Sequence, residues 1–488
     1  MRIGRGQLAL AFGAAVLWAT PAEASEVRMV SRTIGEGYMV RMPGPEGALV
    51  GRRRLAQYVN LGVFGILPPR EVGQMRRDPK DGQLQIVSSM RLRHDFGTFT
   101  RRSGADAGRL LESLDGRQID LLYGYFEGQN IARWIDFRAG RQFEMSGLDF
   151  YAFDGGWIRV RTPAHIAVEA FAGQQVDGTA IFGYPTFELD GTQGTPADDS
   201  SSPMVGAGFS LADLDFIDAR FAYRRTWSPA AVNQSVADVP GSSGVGTVVD
   251  QEFISASASL RLVDGRLSPF SAARYNIATS RVDDLSAGVA WALTEMHFIR
   301  ALYLRTIPSF DLDSIFNVFA IEPFEDVRFV YEVRPNERWR IYGRFQGRIF
   351  HADETAELDT APEQDTTFGG GGGAGASYQR RRFAMRVDGF GLGGEGGVRA
   401  GGSLDTRTHV LWDRIALDGR VYGLYYRDDV VPDRNGYSLA LQAGTNVHLA
   451  HGIYLNVMGE ELFTPYYRAA FRAFGSLSFD WAWRVGQR

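Results

Sequence analysis

Cysteine is absent from all 488 residues, which excludes a disulfide framework and any lipid anchor attached through cysteine. Lysine is almost absent as well. Lys80 is the single example, so 51 of the 52 basic residues are arginine. Long apolar runs are missing except at the N-terminus, where Leu8 to Trp18 is shorter than the ~20 residues that a membrane-crossing helix needs. Helical spanning of a bilayer is therefore excluded. Among the seven histidines no pair stands at metal-ligand spacing with a carboxylate, so neither a metal nor any other cofactor is expected. Ser438, Asn446 and His448 share one face of an alternating stretch, but extended chain places Ser438 roughly 33 Å from His448, too far for a triad. No catalytic residue is expected, and the chain reads as a non-enzyme. The glycine run Gly369 to Gly373, extended by Gly375, lacks the Lys-Ser/Thr of a phosphate loop and reads as a flexible loop entering a strand.

What is present begins with Arg2 and Arg5, the apolar run, and Ala22-Glu23-Ala24, the pattern of a signal peptide over residues 1–24. Its removal leaves 50 basic against 56 acidic groups, a balance that selects no partner. Residues 25–51 have no clear period and read as a periplasmic lead. Residues 52–488 read as one unit, because loops rich in Gly, Ser, Asp and Pro recur throughout without a linker between domains.

The organising pattern is clearest at the end of the chain. From Tyr467 the odd positions carry Ala469, Phe471, Ala473, Gly475, Leu477, Phe479, Trp481 and Trp483, while Arg468, Arg472, Ser476, Ser478 and Asp480 lie between them. A period of two marks a strand with one apolar and one polar face, here long enough to span a bilayer with aromatic residues at its ends. Tyr58 to Phe64 reads as a first strand or a lumen-side segment. Firmer alternation runs through 84–93, 119–127, 133–143, 216–224, 253–262, 327–334, 339–349, 415–425 and 437–449. So many two-faced strands cannot all be sheet edges, and a closed barrel accommodates them together. Long polar loops at 176–202, 228–251 and 351–371 alternate with tight joins at 162–164, 212–214, 263–267, 335–338 and 450–452. The expected fold is all-β, a single antiparallel transmembrane barrel of about 18 strands (16–20), in the outer membrane of a Gram-negative bacterium.

If the apolar faces meet lipid, the opposite faces line a lumen. Arg138, Arg159, Arg220, Arg224, Arg328, Arg334, Arg340, Arg344 and Arg348 fall on those inner faces and are the candidate pore-lining residues. Guanidinium groups bind carboxylate and phosphate in a planar, bidentate manner and stay charged. Asp136, Glu169, Asp218, Glu332, Asp388 and Asp418 fall inward too, so either a net anion-favouring lumen or a mixed ladder that stiffens the wall is compatible with the pattern. The loop at about 308–325 is long yet apolar, and is expected to fold inward as a constriction presenting Asp311, Asp313, Phe316, Glu322 and Glu325.

Trp134 to Val160 resembles the strand-and-turn region of the alginate-export porin family, through Gly140-Arg141-Gln142 and Phe153-Asp154-Gly155. The resemblance implies a monomeric barrel of 18 strands with an arginine-rich lumen that passes anionic polysaccharide. The expected function is a porin-like channel for anionic solutes or an anionic exopolysaccharide, with a general diffusion porin or a structural or adhesive barrel as alternatives. Expected partners are outer-membrane lipid, the anionic sugar or polysaccharide and periplasmic export components, with no role for nucleic acid.

Overall fold

The computed structural model describes residues 26–41, 49–66, 82–101, 108–111, 116–146, 148–176, 202–212, 214–228, 248–307, 323–351, 366–394, 397–411, 413–427, 435–465 and 469–484. The first strands are β1 (Glu26–Arg41), β2 (Leu49–Phe64), β3 (Gln83–Arg101), β4 (Gly108–Leu111), β5 (Gly116–Ile131), β6 (Ile135–Ser146), β7 (Asp149–Arg161) and β8 (Ile166–Gln175). Next come β9 (Pro203–Leu211), β10 (Ile217–Ser228), β11 (Val248–Leu260), β12 (Leu267–Asn276), β13 (Arg281–Ala292), β14 (His297–Thr306), β15 (Phe324–Asn336) and β16 (Trp339–Phe350). The last are β17 (Thr367–Arg380), β18 (Phe383–Gly394), β19 (Gly397–Val410), β20 (Ile415–Arg427), β21 (Gly436–Ala450), β22 (Ile453–Phe463) and β23 (Ala469–Arg484).

All pairings are antiparallel between neighbours, and β1 pairs with both β2 and β23. The short β4 pairs only with the end of β3, which also pairs with β5. Twenty-two strands therefore close on themselves, not about 18. The difference lies where alternation is silent. Residues 25–51, expected as a periplasmic lead, hold β1 and the start of β2. Outward positions of β1 include Ser31, Thr33, Gly35 and Gly37, opposite Phe479, Leu477, Gly475 and Ala473 of β23, so no apolar period marks the strand. The region 372–402 contributes to three strands, and the run Gly369 to Gly373 lies within β17 rather than in a loop. Glycine has no side chain with which to show a period of two.

The joins are short at one end with one exception, the 18-residue connection after β2, while at the opposite end they range from two residues after β6 to the long ones after β8 and β10. Those ending β5, β7, β9, β11, β13, β15, β17, β19 and β21 are short, and the end they share also holds Glu26 of β1 and Arg484 of β23. On the opposite end lie the longer connections after β8, β10, β14 and β16. By the asymmetry of such barrels the first end is periplasmic.

One arc of the wall is packed on its inner side. Glu144 of β6 and Asp149 of β7 meet Arg220 and Arg224 of β10, so inner faces several strands apart touch each other. Beneath them Tyr151, Phe153, Trp157, Phe171 and Met204 form a buried cluster. This is the hydrophobic core of the described residues, and it lies inside the barrel on one side.

Candidate functional site

Cross-strand partners share a face, so the register carries the inside and outside assignment around the whole barrel. The outside is apolar and ends in aromatic residues at both rims. Trp134, Phe216, Trp291, Trp339, Phe383, Trp481 and Trp483 are exposed toward the periplasmic end, and Phe96, Phe143, Phe150, Phe368, Tyr437 and Phe463 toward the other. From Phe368 to Tyr378, two outward residues of β17, ten steps at ~3.3 Å and ~45° tilt give about 23 Å, close to the ~25 Å apolar band of such barrels.

The two short motifs at 140–142 and 153–155 come together on β6 and β7. Gly140 lies opposite Gly155, Arg141 opposite Asp154 and Gln142 opposite Phe153. The Gln142 side-chain amide donates to the Gly155 carbonyl at 3.0 Å. Arg141 and Asp154 form a two-pronged ion pair at 2.7 Å on the outward face, among Phe137, Ala139, Phe143 and Ile158.

On the inner face the candidate arginines divide into two groups with different surroundings. The first group lies in the packed arc. Arg138 donates to Glu144 at 2.5 Å and stacks over Trp157 at 4.4 Å. Arg220 bridges Glu144 and Glu169 at 2.9 and 2.5 Å. Arg224, only 4% exposed, holds Asp149 at 2.8 Å between the rings of Tyr151 and Phe253. Arg159 is half-buried and donates to the Ser210 hydroxyl at 2.8 Å. These side chains face inward as the alternation predicts, but Arg138 is held by Glu144 of its own strand and Trp157 of the next, and Arg220 and Arg224 meet carboxylates on strands beyond their immediate neighbours. Their ion pairs hold the arc together. Alternation gives a side chain its face and not what stands opposite across the lumen.

The second group lies on β15 and β16. Arg328 and Arg348 converge on Asp326 at 2.8 and 2.6 Å, Arg334 and Arg340 converge on Glu332 at 2.7 and 2.5 Å, and Arg344 reaches Asp388 at 2.7 Å. Five guanidinium groups thus share three carboxylates. The arginine side chains are 32–49% exposed and the acids 0–13%, so positive groups project while negative ones are recessed behind them.

A stretch of strand without inner side chains shapes this wall. Gly369, Gly371, Gly373 and Gly375 of β17 lie opposite Arg348, Gln346, Arg344 and Tyr342 on β16, and all share the inner face. Tyr342 and Arg344 lie across that lane to reach Asp388 on β18, and Arg386 donates to the Tyr342 hydroxyl at 2.8 Å. A Cβ on Gly375 would stand 2.5 Å from the Tyr342 hydroxyl, and one on Gly373 2.9 Å from Arg344 Nε. Sequence reading missed Tyr342 and the lane, whose only signal was the glycine run.

Asp311, Asp313, Phe316 and Glu322 of the expected constriction lie outside the described residues. Glu325 does not belong to such a loop. It lies in β15, opposite Arg305 and Ile349 on the outward face, with His351 3.2 Å away.

No protein family and no curated protein matches the chain. Solved structures similar to it include the P pilus usher (PapC) translocation pore, at 7% identity and a TM-score of 0.45 over 92% of this chain and 99% of that one. The outer membrane protein OpdK of Pseudomonas aeruginosa is similar at 9% identity and 0.40, over 94% and 99%. OccAB2 of Acinetobacter baumannii is similar at 9% and 0.43, over 94% and 98%. Likenesses this distant carry no argument about function, and none is specific to alginate export. The closed register and the two aromatic rims stand on their own: the chain is a 22-stranded β-barrel of the Gram-negative outer membrane.

Proposed function

We propose that the protein is a passive, porin-like channel that favours anionic solutes, with an anionic exopolysaccharide as its candidate cargo. The observation that carries this reading is the projection of five arginines over three recessed carboxylates on β15, β16 and β18. An anion at this wall meets guanidinium groups first. Each is already oriented by a carboxylate, so little rotamer freedom is lost when it engages a second anion. The pairing also limits the depth of the well, and a conducting site must release what it binds. The described inner face offers no comparable row of exposed carboxylates to reverse the preference.

The test is reversal potential across a salt gradient with the refolded protein in a planar bilayer. Anion preference is expected, and replacing Arg340, Arg344 and Arg348 by glutamine is expected to reduce it. A cation-preferring or unselective current in the unaltered protein would overturn the proposal in favour of a general diffusion porin. No current from correctly folded barrel would favour a structural role.

A further inference from the structure

One cross-strand row on the inner face joins Arg340 on β16, Arg386 on β18, Asp405 on β19, Arg420 on β20, Glu460 on β22 and Arg472 on β23, with a serine and an amide on the strands between. Every position of this row is polar. The row also climbs. Arg340 is one residue from the periplasmic start of β16, Arg386 three from that of β18 and Arg420 five from that of β20. Arg472 lies twelve residues above the periplasmic end of β23 and three below its outer end. Strand tilt turns a straight line of partners into a helical path from one side of the membrane toward the other.

Its charges repeat the projecting pattern. Arg420 holds Asp405 at 2.5 Å and Arg472 holds Glu460 at 3.8 Å, with the arginines 54% and 62% exposed and the acids 32% and 24%. Near Arg386, Asp405 and Arg420 the wall is hollowed into a depression of about 490 Å³. At a strand spacing of ~4.8 Å, Arg340, Arg386 and Arg420 stand about 10 Å apart in turn, and Arg472 about 14 Å further on.

We infer that this row is a helical guide for an extended anionic chain, which lies obliquely along the wall and engages several guanidinium groups at once. The inference rests on the anion-favouring channel proposed above. A small anion can use only one of these groups at a time. A chain bearing carboxylates or sulfates gains from each further contact, because after the first the rest are intramolecular. The recessed acids between them keep any one position shallow, so the chain can advance by exchanging neighbours.

Current block by galacturonate oligomers of defined length tests this on the refolded full barrel. In the unaltered protein the block should lengthen from monomer to decamer. With Arg420 and Arg472 both replaced by glutamine, the decamer block should shorten about tenfold while block by monomeric galacturonate changes less than about twofold. Retarded, heat-modifiable migration on a gel confirms that the variant is folded. Gln442→Glu, which adds a negative charge to the row without removing any ion pair, should shorten decamer block by itself. If the unaltered protein prefers anions but both variants leave decamer block unchanged, the guide is overturned and the channel reading stands. If the unaltered protein lacks anion preference, the channel reading has failed as well.

Discussion

Arg344 holds Asp388 at 2.7 Å although the whole of β17 runs between their two strands. The contact exists because the intervening positions, Gly373 and Gly375, carry no side chain over which the arginine would have to climb. Adding one there should therefore be costly. Gly375→Val is expected to displace Tyr342, release Asp388 and destabilise the barrel by about 1–3 kcal/mol, the usual range for overpacking. Gly391→Ala, outward on β18 with open space at its Cβ, should stay within about 0.5 kcal/mol. Urea unfolding in lipid vesicles compares the two, and equal stability of both variants would refute the lane.

Arg141 and Asp154 place an ion pair on the lipid side, where neither charge is easily tolerated alone. Arg141→Ala should cost about 2–4 kcal/mol, because it leaves a carboxylate against hydrocarbon and the Leu121 carbonyl without its donor. Removing both charges should recover much of that loss. The double-mutant cycle, read by equilibrium unfolding in vesicles, gives the coupling directly, and simple additivity would show that the pair is unimportant.

The two groups of inner arginines should respond oppositely to substitution. Arg224→Ala leaves the buried carboxylate of Asp149 with only the more distant Arg274 at 3.9 Å and should destabilise by about 3 kcal/mol while leaving reversal potential unchanged. Arg344→Gln and Arg348→Gln should shift reversal potential with a smaller stability change, since their side chains are partly exposed and solvent screens the lost pair. Unfolding curves and bilayer recordings on the same preparations separate the cases.

Selectivity carried by projecting charge should depend on salt. The screening length falls from ~30 Å at 0.01 M to ~3 Å at 1 M, so anion preference should be strong in dilute salt and shrink toward unity in concentrated salt. A preference that does not change over that range would indicate a steric filter instead.

Side chains written in strict alternation made much of the barrel legible. Trp481, Phe479 and Leu477 announce the lipid face of β23, and the tight join at 450–452 predicts the turn from β21 to β22. Ser31, Thr33 and Gly35 on the outer face of β1 carry no such signal, and neither do the glycines of β17, so the chain holds more strands than its pattern displays. The candidate site was legible in part for a related reason. Alternation puts Arg224 and Arg344 on the same side of the sheet, yet one is buried against Tyr151 and Phe253 and the other stands above a bare strand. That distinction depends on which faces meet across the lumen, and a one-dimensional period holds no information about it.

The seam between β1 and β23 dictates the order of assembly. Sixteen cross-strand partners, from Glu26 and Arg484 to Arg41 and Ala469, join segments at opposite ends of the chain, and Arg28 grips Asp480 across a separation of 452 positions. None of these bonds can form until β23, the last strand of the barrel in chain order, has been made. Until then the growing sheet has two bare margins, whose unpaired backbone groups would each cost several kcal/mol in hydrocarbon. A partly formed wall is thus no resting state within the bilayer. Entry into the membrane and joining of first strand to last must proceed as one coupled event, or the nascent sheet must be shielded until its ends meet.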